Sequence, residues 1–295
     1  MHPAAAWLAA RGLRLAFGLV RALGPDRAAG LGAFVARSIG PALPQQRIAL
    51  ANVRAALPEL SDAQQRQVVR DAWDNLGRVA CEYVHLGRIY DFDEANPNAG
   101  RIEASPEVIA RTEAIRSAGP VLLFSAHLAN WELPALVPAR HGIASAVLYR
   151  TPNNPVVAEE ILRLRRGMMG TLIPAGFAAP RRMAEALDKG ELVAMLVDQH
   201  FTRGPRISFL GRPASANPLI PQLARRYDCP VYGARAVRLP KGRFRLELVG
   251  PLDLPRDAAG KVDVAGTTQM INDVIAGWVR DTPGQWLWMH RRWRG

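Results

Sequence analysis

The chain of 295 residues carries 38 Lys and Arg against 26 Asp and Glu, a formal net charge of +12. Its ordinary balance of apolar and charged residues excludes wholesale disorder, and two distant cysteines, Cys81 and Cys229, exclude a disulfide framework and a cysteine-based zinc site while suiting a reducing compartment. Three of the cations are lysines and the rest arginines, which fits a compositional bias or an anionic partner: nucleic acid, anionic lipid or an acidic carrier protein.

Residues 4–43 are rich in Ala, Leu and Gly, but Arg11, Arg14, Arg21, Arg27 and Arg37 interrupt them. No uncharged stretch approaches the ~18–20 residues of a spanning helix, and the same arginines break a signal-peptide core. At helical spacing Leu8, Leu15, Leu19 and Leu23 share one face and Arg11, Arg14 and Arg21 another, with Trp7 and Phe17 nearer the arginines. That pattern describes a helix lying in a lipid headgroup layer, with a helix packed on its own domain as the alternative.

Residues 26–90 read as helical, with Pro58 as punctuation and Ser61 with Gln64 as a capping box opening a helix toward Tyr90. Residues 91–105 read as a loop or weak strand. From residue 119 the period changes: Val121–Phe124 is a buried strand, a helix runs from about Ala129 to His141, and Ala144–Tyr149 is a second strand. A helix over 155–169, a short strand over 171–174, a helix over 180–189 and a buried strand over 191–197 follow. A loop over 198–214, a helix near 218–227, two strands flanking Pro240-Lys241-Gly242 and a helix over 264–280 complete the chain. Alternating strands and helices imply an α/β fold with a largely parallel sheet flanked by helices. The expected organisation is a membrane-associating segment over 1–43, a helical part over 44–105 and an α/β body over 106–295, with 43–295 as one compact unit in the alternative division.

The strongest chemical candidate is Ser125-Ala126-His127-Leu128-Ala129-Asn130-Trp131-Glu132, directly after the strand at 121–124, where open α/β sheets gather ligands. His127 and Glu132 are five apart, about 140° on a regular helix, so they meet only if His127 lies in the strand-to-helix turn. If they meet, the imidazole removes a proton from a hydroxyl attacking an acyl carbon, while the carboxylate fixes its tautomer. The alternative is a structural histidine near a surface glutamate.

This block resembles the active-site block of the lipid A biosynthesis acyltransferases, the lauroyl/myristoyl branch of the lysophospholipid acyltransferase superfamily, which carries H-x4-E where the wider group carries H-x4-D. Further similarity lies in Arg47–Asn52, Pro58–Ser61, Asn75-Leu76-Gly77 with Glu82, Tyr149–Pro155, Leu196–His200, Phe209–Ala214 and Gln285–Trp293. The resemblance implies acyl transfer at the cytoplasmic face of a Gram-negative inner membrane. The implied donor is acyl carrier protein and the implied acceptor a phosphorylated, Kdo-bearing lipid A precursor, with no metal or redox cofactor. It implies His127 as general base, Glu132 as its orienting partner and Asp198 as a site residue. Arg150, Asn153, Arg163, Arg165 and Arg166 are implied substrate contacts, and Asn130 and Arg203 are further candidates. His200 stands where relatives often have a second acid, and the acidic Gly-containing block of the glycerolipid branch is absent. The same chemistry on another membrane lipid is the nearest alternative.

The remaining candidates divide between roles. Trp286, Trp288 and Trp293, interleaved with Arg291, Arg292 and Arg294, fit core packing, a bilayer-interface belt or a nucleic-acid patch. His290 reads as structural. No nucleic-acid recognition motif, G-x-S-x-G elbow, P-loop, dinucleotide fingerprint or H-E-x-x-H occurs, so nucleic acid is not an expected partner, and a basic nucleic-acid-binding protein, motivated by the +12 charge alone, is the distant alternative.

Overall fold

Five consecutive buried residues, Val121 to Ser125, set the centre of the fold: β2 (Val121–Ser125) is covered on both faces, as a continuous apolar run requires. The computed structural model describes residues 3–152 and 154–293, with side chains from residue 11 onward. Asn153 therefore lies outside the described residues, as do His2, Arg294 and the side chains of Trp7 and Leu8.

The N-terminal part is helical: α1 (Pro3–Ala22), α2 (Pro25–Ile39), α3 (Pro44–Ala56), α4 (Asp62–Glu82) and the short α5 (Leu86–Ile89). Prolines stand in the first turns of α2 and α3, where no backbone donor is lost. The capping box is present: the Ser61 hydroxyl accepts from the Gln64 amide N–H, and the Gln64 side chain accepts from the Ser61 N–H. Helices α2 and α4 cross at Gly32 and Gly77, where a Cβ on either would lie 2.1 Å from the other's carbonyl oxygen.

Strand β1 (Ile102–Ala104) and α6 (Pro106–Ser117) precede β2. Then come α7 (Leu133–Arg140), β3 (Ser145–Tyr149), α8 (Pro155–Arg165), β4 (Thr171–Pro174), α9 (Ala179–Asp188) and β5 (Leu192–Leu196). The hairpin β6 (Arg206–Phe209) and β7 (Arg212–Ser215) stands apart as its own two-stranded sheet, within a stretch the sequence presents as loop. Helix α10 (Leu219–Tyr227), β8 (Val231–Arg238), β9 (Phe244–Val249) and α11 (Val264–Asp281) follow. The main sheet has seven strands in the order β1-β9-β8-β2-β5-β3-β4, parallel throughout except for the β8–β9 pair. The fold is thus α/β with a mostly parallel sheet flanked by helices, as expected.

Trp286 and Trp288 are buried in the largest core cluster, with Trp293 packed on it, so the C-terminal tryptophans are core and not a bilayer belt. Among the described residues no helix is long and apolar enough to cross a membrane. Leu15 and Leu19 are each 70% exposed on α1, and Leu31, Phe34, Val35 and Ile39 are exposed on α2, an apolar face that the sequence reading confined to the first helix.

Candidate functional site

Parallel pairing in register fixes the site. Ser125 of β2 lies opposite Leu196 of β5. Two residues beyond each strand, His127 and Asp198 emerge side by side at the carboxyl edge of the sheet. Nδ1 of His127 lies 2.7 Å from Oδ1 of Asp198, and the His127 backbone N–H donates to Oδ2 at 2.9 Å. Trp286 Nε1–H donates to the same Oδ2 at 2.8 Å. Burial pushes the Asp198 carboxyl up, but the imidazole beside it and the hydrogen bonds it accepts outweigh burial and hold it well below the usual carboxylate range. Asp198 is therefore a buried, ionised acceptor that fixes the Nδ1–H tautomer and leaves Nε2 free to accept a proton. Nε2 lies 3.4 Å from the Gln199 side-chain amide nitrogen.

The H-x4-E spacing leads elsewhere. Glu132 immediately precedes α7, and its carboxylate is held by Arg165, with Nε at 2.9 Å and Nη2 at 2.6 Å, and by the Tyr83 hydroxyl. Burial pushes the Tyr83 phenol up, and the Glu132 charge adds to it, so Tyr83 is a neutral donor. Burial works against the Arg165 charge, but Glu132 more than offsets it. Arg165 also lies over the rings of Tyr83 and Tyr149, 5.7 and 5.8 Å from their centroids. The partner of His127 is thus Asp198, and Glu132 instead closes a Tyr83–Arg165 cluster on the same cleft. The physical reason is the turn between them: Ala129 adopts φ 46°, a left-handed conformation that costs a non-glycine residue about 1–2 kcal/mol and carries the chain away before α7 begins.

His127, Trp131, Glu132, Tyr149, Arg150 and Arg165 line a cleft whose other walls are mostly apolar residues, many of them from β2, β3 and β5. A second cleft lies under α6 on the same sheet face; Leu123 and Pro134 line both. At its rim Tyr90, His141 and Glu94 satisfy one another, with Tyr90 Oη 3.1 Å from His141 Nε2 and Glu94 Oε1 2.7 Å from His141 Nδ1. The remaining lining is largely hydrocarbon.

The other expected site residues scatter. Asn130 is fully buried behind the turn, bonded to Glu82. Arg163 is exposed and donates to the buried Glu160 at 2.9 Å, and Arg14 of α1 donates to the same carboxylate. Arg166 and Arg203 are exposed and do not line the cleft. His200 does line it. Tyr83, Trp286 and Gln199 complete the geometry without a site role assigned from sequence; Tyr83 adjoins the quoted Glu82, and Trp286 and Gln199 lie inside the quoted Gln285–Trp293 and Leu196–His200. Among the described residues no three His, Cys, Asp or Glu side chains gather as metal ligands.

A buried carboxylate held against an imidazole beside a largely apolar cleft is an arrangement that can take a proton from a bound hydroxyl. No individual curated protein matches the chain. The family model for bacterial lipid A biosynthesis acyltransferases matches residues 2–295, and the chain belongs to that family.

Proposed function

We propose that the protein moves a fatty acyl group from an acyl carrier protein thioester to a hydroxyl of a lipid A precursor, with His127 as general base and Asp198 as the carboxylate that orients it. One observation carries this reading: the 2.7 Å contact between His127 and Asp198 at the head of an apolar cleft. Nε2 of His127 takes the proton of the acceptor hydroxyl as its oxygen attacks the thioester carbonyl carbon. The new C–O bond forms, the tetrahedral adduct collapses with loss of the C–S bond, and the imidazolium returns its proton to the departing thiolate. The products are an ester and the free thiol of the carrier. Asp198 stabilises the transient imidazolium without taking its proton.

The acyl chain extends along the sheet face, past Leu123 and Pro134, into the hydrocarbon-lined cleft under α6. The Glu132–Arg165–Tyr83 cluster shapes the wall beside His127, and Arg150, exposed at the cleft lining, meets an anionic headgroup. Exposed Arg163, Arg166 and Arg203 supply positive surface for an acidic carrier. Membership of a membrane-associated family, and the exposed leucines of α1 with Leu31, Phe34 and Ile39 of α2, support attachment to the cytoplasmic face of the inner membrane through this arm.

The test is direct transfer. Purified protein offered acyl carrier protein thioesters and a tetra-acylated lipid A precursor is expected to give a product one acyl group heavier by mass spectrometry. His127→Ala is expected to abolish transfer with the far-ultraviolet circular dichroism unchanged. An active, folded His127→Ala protein would remove the mechanism, and transfer to phospholipid in place of the precursor would replace the acceptor.

A further inference from the structure

Asn75 and Glu82 lie seven residues apart on one face of α4, and both are buried against the turn that joins β2 to α7. Glu82 accepts three hydrogen bonds: from Nη1 and Nη2 of Arg238 at 2.5 and 3.0 Å, and from Nδ2 of Asn130 at 2.9 Å. Arg238 Nε donates to Asn75 Oδ1 at 2.9 Å. Asn75 in turn donates to the carbonyls of Ala129, at 3.0 Å, and Gln285, at 3.1 Å. On the far side of Asn130, Oδ1 accepts the Glu132 backbone N–H at 3.2 Å.

The logic of this chain is one of polarity. An ionised carboxylate accepts and never donates, so Glu82 meets Asn130 through the amide NH2. The amide carbonyl is thereby turned toward the Glu132 N–H. Arg238 sets the opposite charge beside a carboxylate that is only 3% exposed. Between the two anchored residues, Asn75 and Asn130, sits Ala129 in its left-handed conformation, with His127 two residues before it. A turn in that conformation persists where its surroundings over-determine it, and these hydrogen bonds do so.

We propose that Glu82, held by Arg238, is a positioning residue: its carboxylate fixes the orientation of the Asn130 amide and, through it, the turn that carries His127 and Glu132. The role lies outside the cleft, since neither Glu82 nor Asn130 lines it. Its activity readout rests on the acyl-transfer reading above.

The test reverses the polarity of a single hydrogen bond. In Glu82→Gln the amide that replaces the carboxylate turns an N–H donor toward either Arg238 or Asn130. In Asn130→Asp two carboxylates face each other. The double variant Glu82→Gln/Asn130→Asp restores a donor–acceptor pair: the introduced glutamine NH2 faces the introduced carboxylate, whose other oxygen still accepts from Glu132. Each single variant is expected to lower kcat about tenfold to a hundredfold with KM nearly unchanged, and the double variant to regain most of that loss. Hydrogen exchange of the 126–133 backbone amides in the full chain is expected to quicken in each single variant and slow again in the double. Arg238→Lys, which keeps the charge but loses the fork, serves where a single variant fails to fold, and is expected to give an intermediate loss. Folded single variants with unaltered kcat and unaltered exchange would overturn the proposal. So would a double variant that recovers thermal stability but neither kcat nor exchange. Wild-type protein inactive toward every donor, with exchange following the expected pattern, would overturn the acyl-transfer reading and not this one.

Discussion

Asp198 stands 71 residues after His127, yet its carboxylate accepts from both the backbone N–H and the imidazole Nδ1 of that histidine. Two contacts from one carboxylate set the ring's position and its tautomer together. Asp198→Asn keeps the size but presents an amide of either polarity to Nδ1, favouring the wrong tautomer. It is expected to cut kcat by about 10³–10⁴ with little change in KM, read by steady-state transfer assays. A loss under tenfold would assign the orienting role elsewhere.

Chain length is expected to follow the cleft under α6. Thr112 on α6 lines it and is half-buried, so a larger side chain enters the cleft without displacing β-strand packing. Thr112→Trp is expected to shift preference toward shorter acyl donors while transfer of the shortest ones persists. Competition among donors of several lengths, with products resolved by mass, checks this. An unchanged product distribution would place the chain elsewhere.

Stability is expected to fall from pH 7.5 toward pH 5. Burial holds the imidazoles of His290 and His85 below their ordinary range. The unfolded chain then takes up more protons than the native one as pH drops through about 6.5, so native stability is full above that value and is lost below it. Urea midpoints measured across this range should fall, and His290→Gln should flatten the slope. A steeper slope in that variant would reverse the assignment.

Attachment to lipid is expected to depend on both arm helices. Leu15→Ser with Leu19→Ser on α1, and Phe34→Ser with Ile39→Ser on α2, each remove large exposed apolar side chains. Each side chain is worth about 1.5–3 kcal/mol when buried in full, so each pair should weaken binding to anionic vesicles by tenfold or more. Sedimentation with vesicles containing phosphatidylglycerol reads this. An α2 pair with wild-type binding would restrict the contact to α1.

Gly77→Ala is expected to destabilise the protein by about 1–3 kcal/mol or more, because its Cβ would meet the Gly32 carbonyl at 2.1 Å where α2 crosses α4. A lowered thermal midpoint, with Gly12→Ala as an unhindered control, checks it.

Much of this architecture was legible because its signals are local. The apolar runs at 121–124 and 191–197, the Ser61 capping box and the prolines at helix starts each act within a few residues. The β6–β7 hairpin escaped because its strands are four residues long and one contains Pro213. Helix α7 starts four residues later than its apolar pattern implies, since the left-handed Ala129 breaks the helical path first. The place of His127 at a strand end was legible, and its expected pairing with Glu132 is not what the structure shows. Spacing along the chain joined that pair, whereas the register of two parallel strands joins His127 to Asp198, and register is not written in any short window.

The segment that follows α11 runs against the turn that carries His127. Gln285 and Leu287 bond to Ala129 and His127, and Trp286 bonds to Asp198. A ribosome must therefore deliver these late residues before the His127 turn and the Asp198 carboxylate have all their hydrogen-bond partners. Until then a nascent chain can already contain every strand of the main sheet while Asp198 still lacks the Trp286 donor and the Ala129 turn lacks its Gln285 partner.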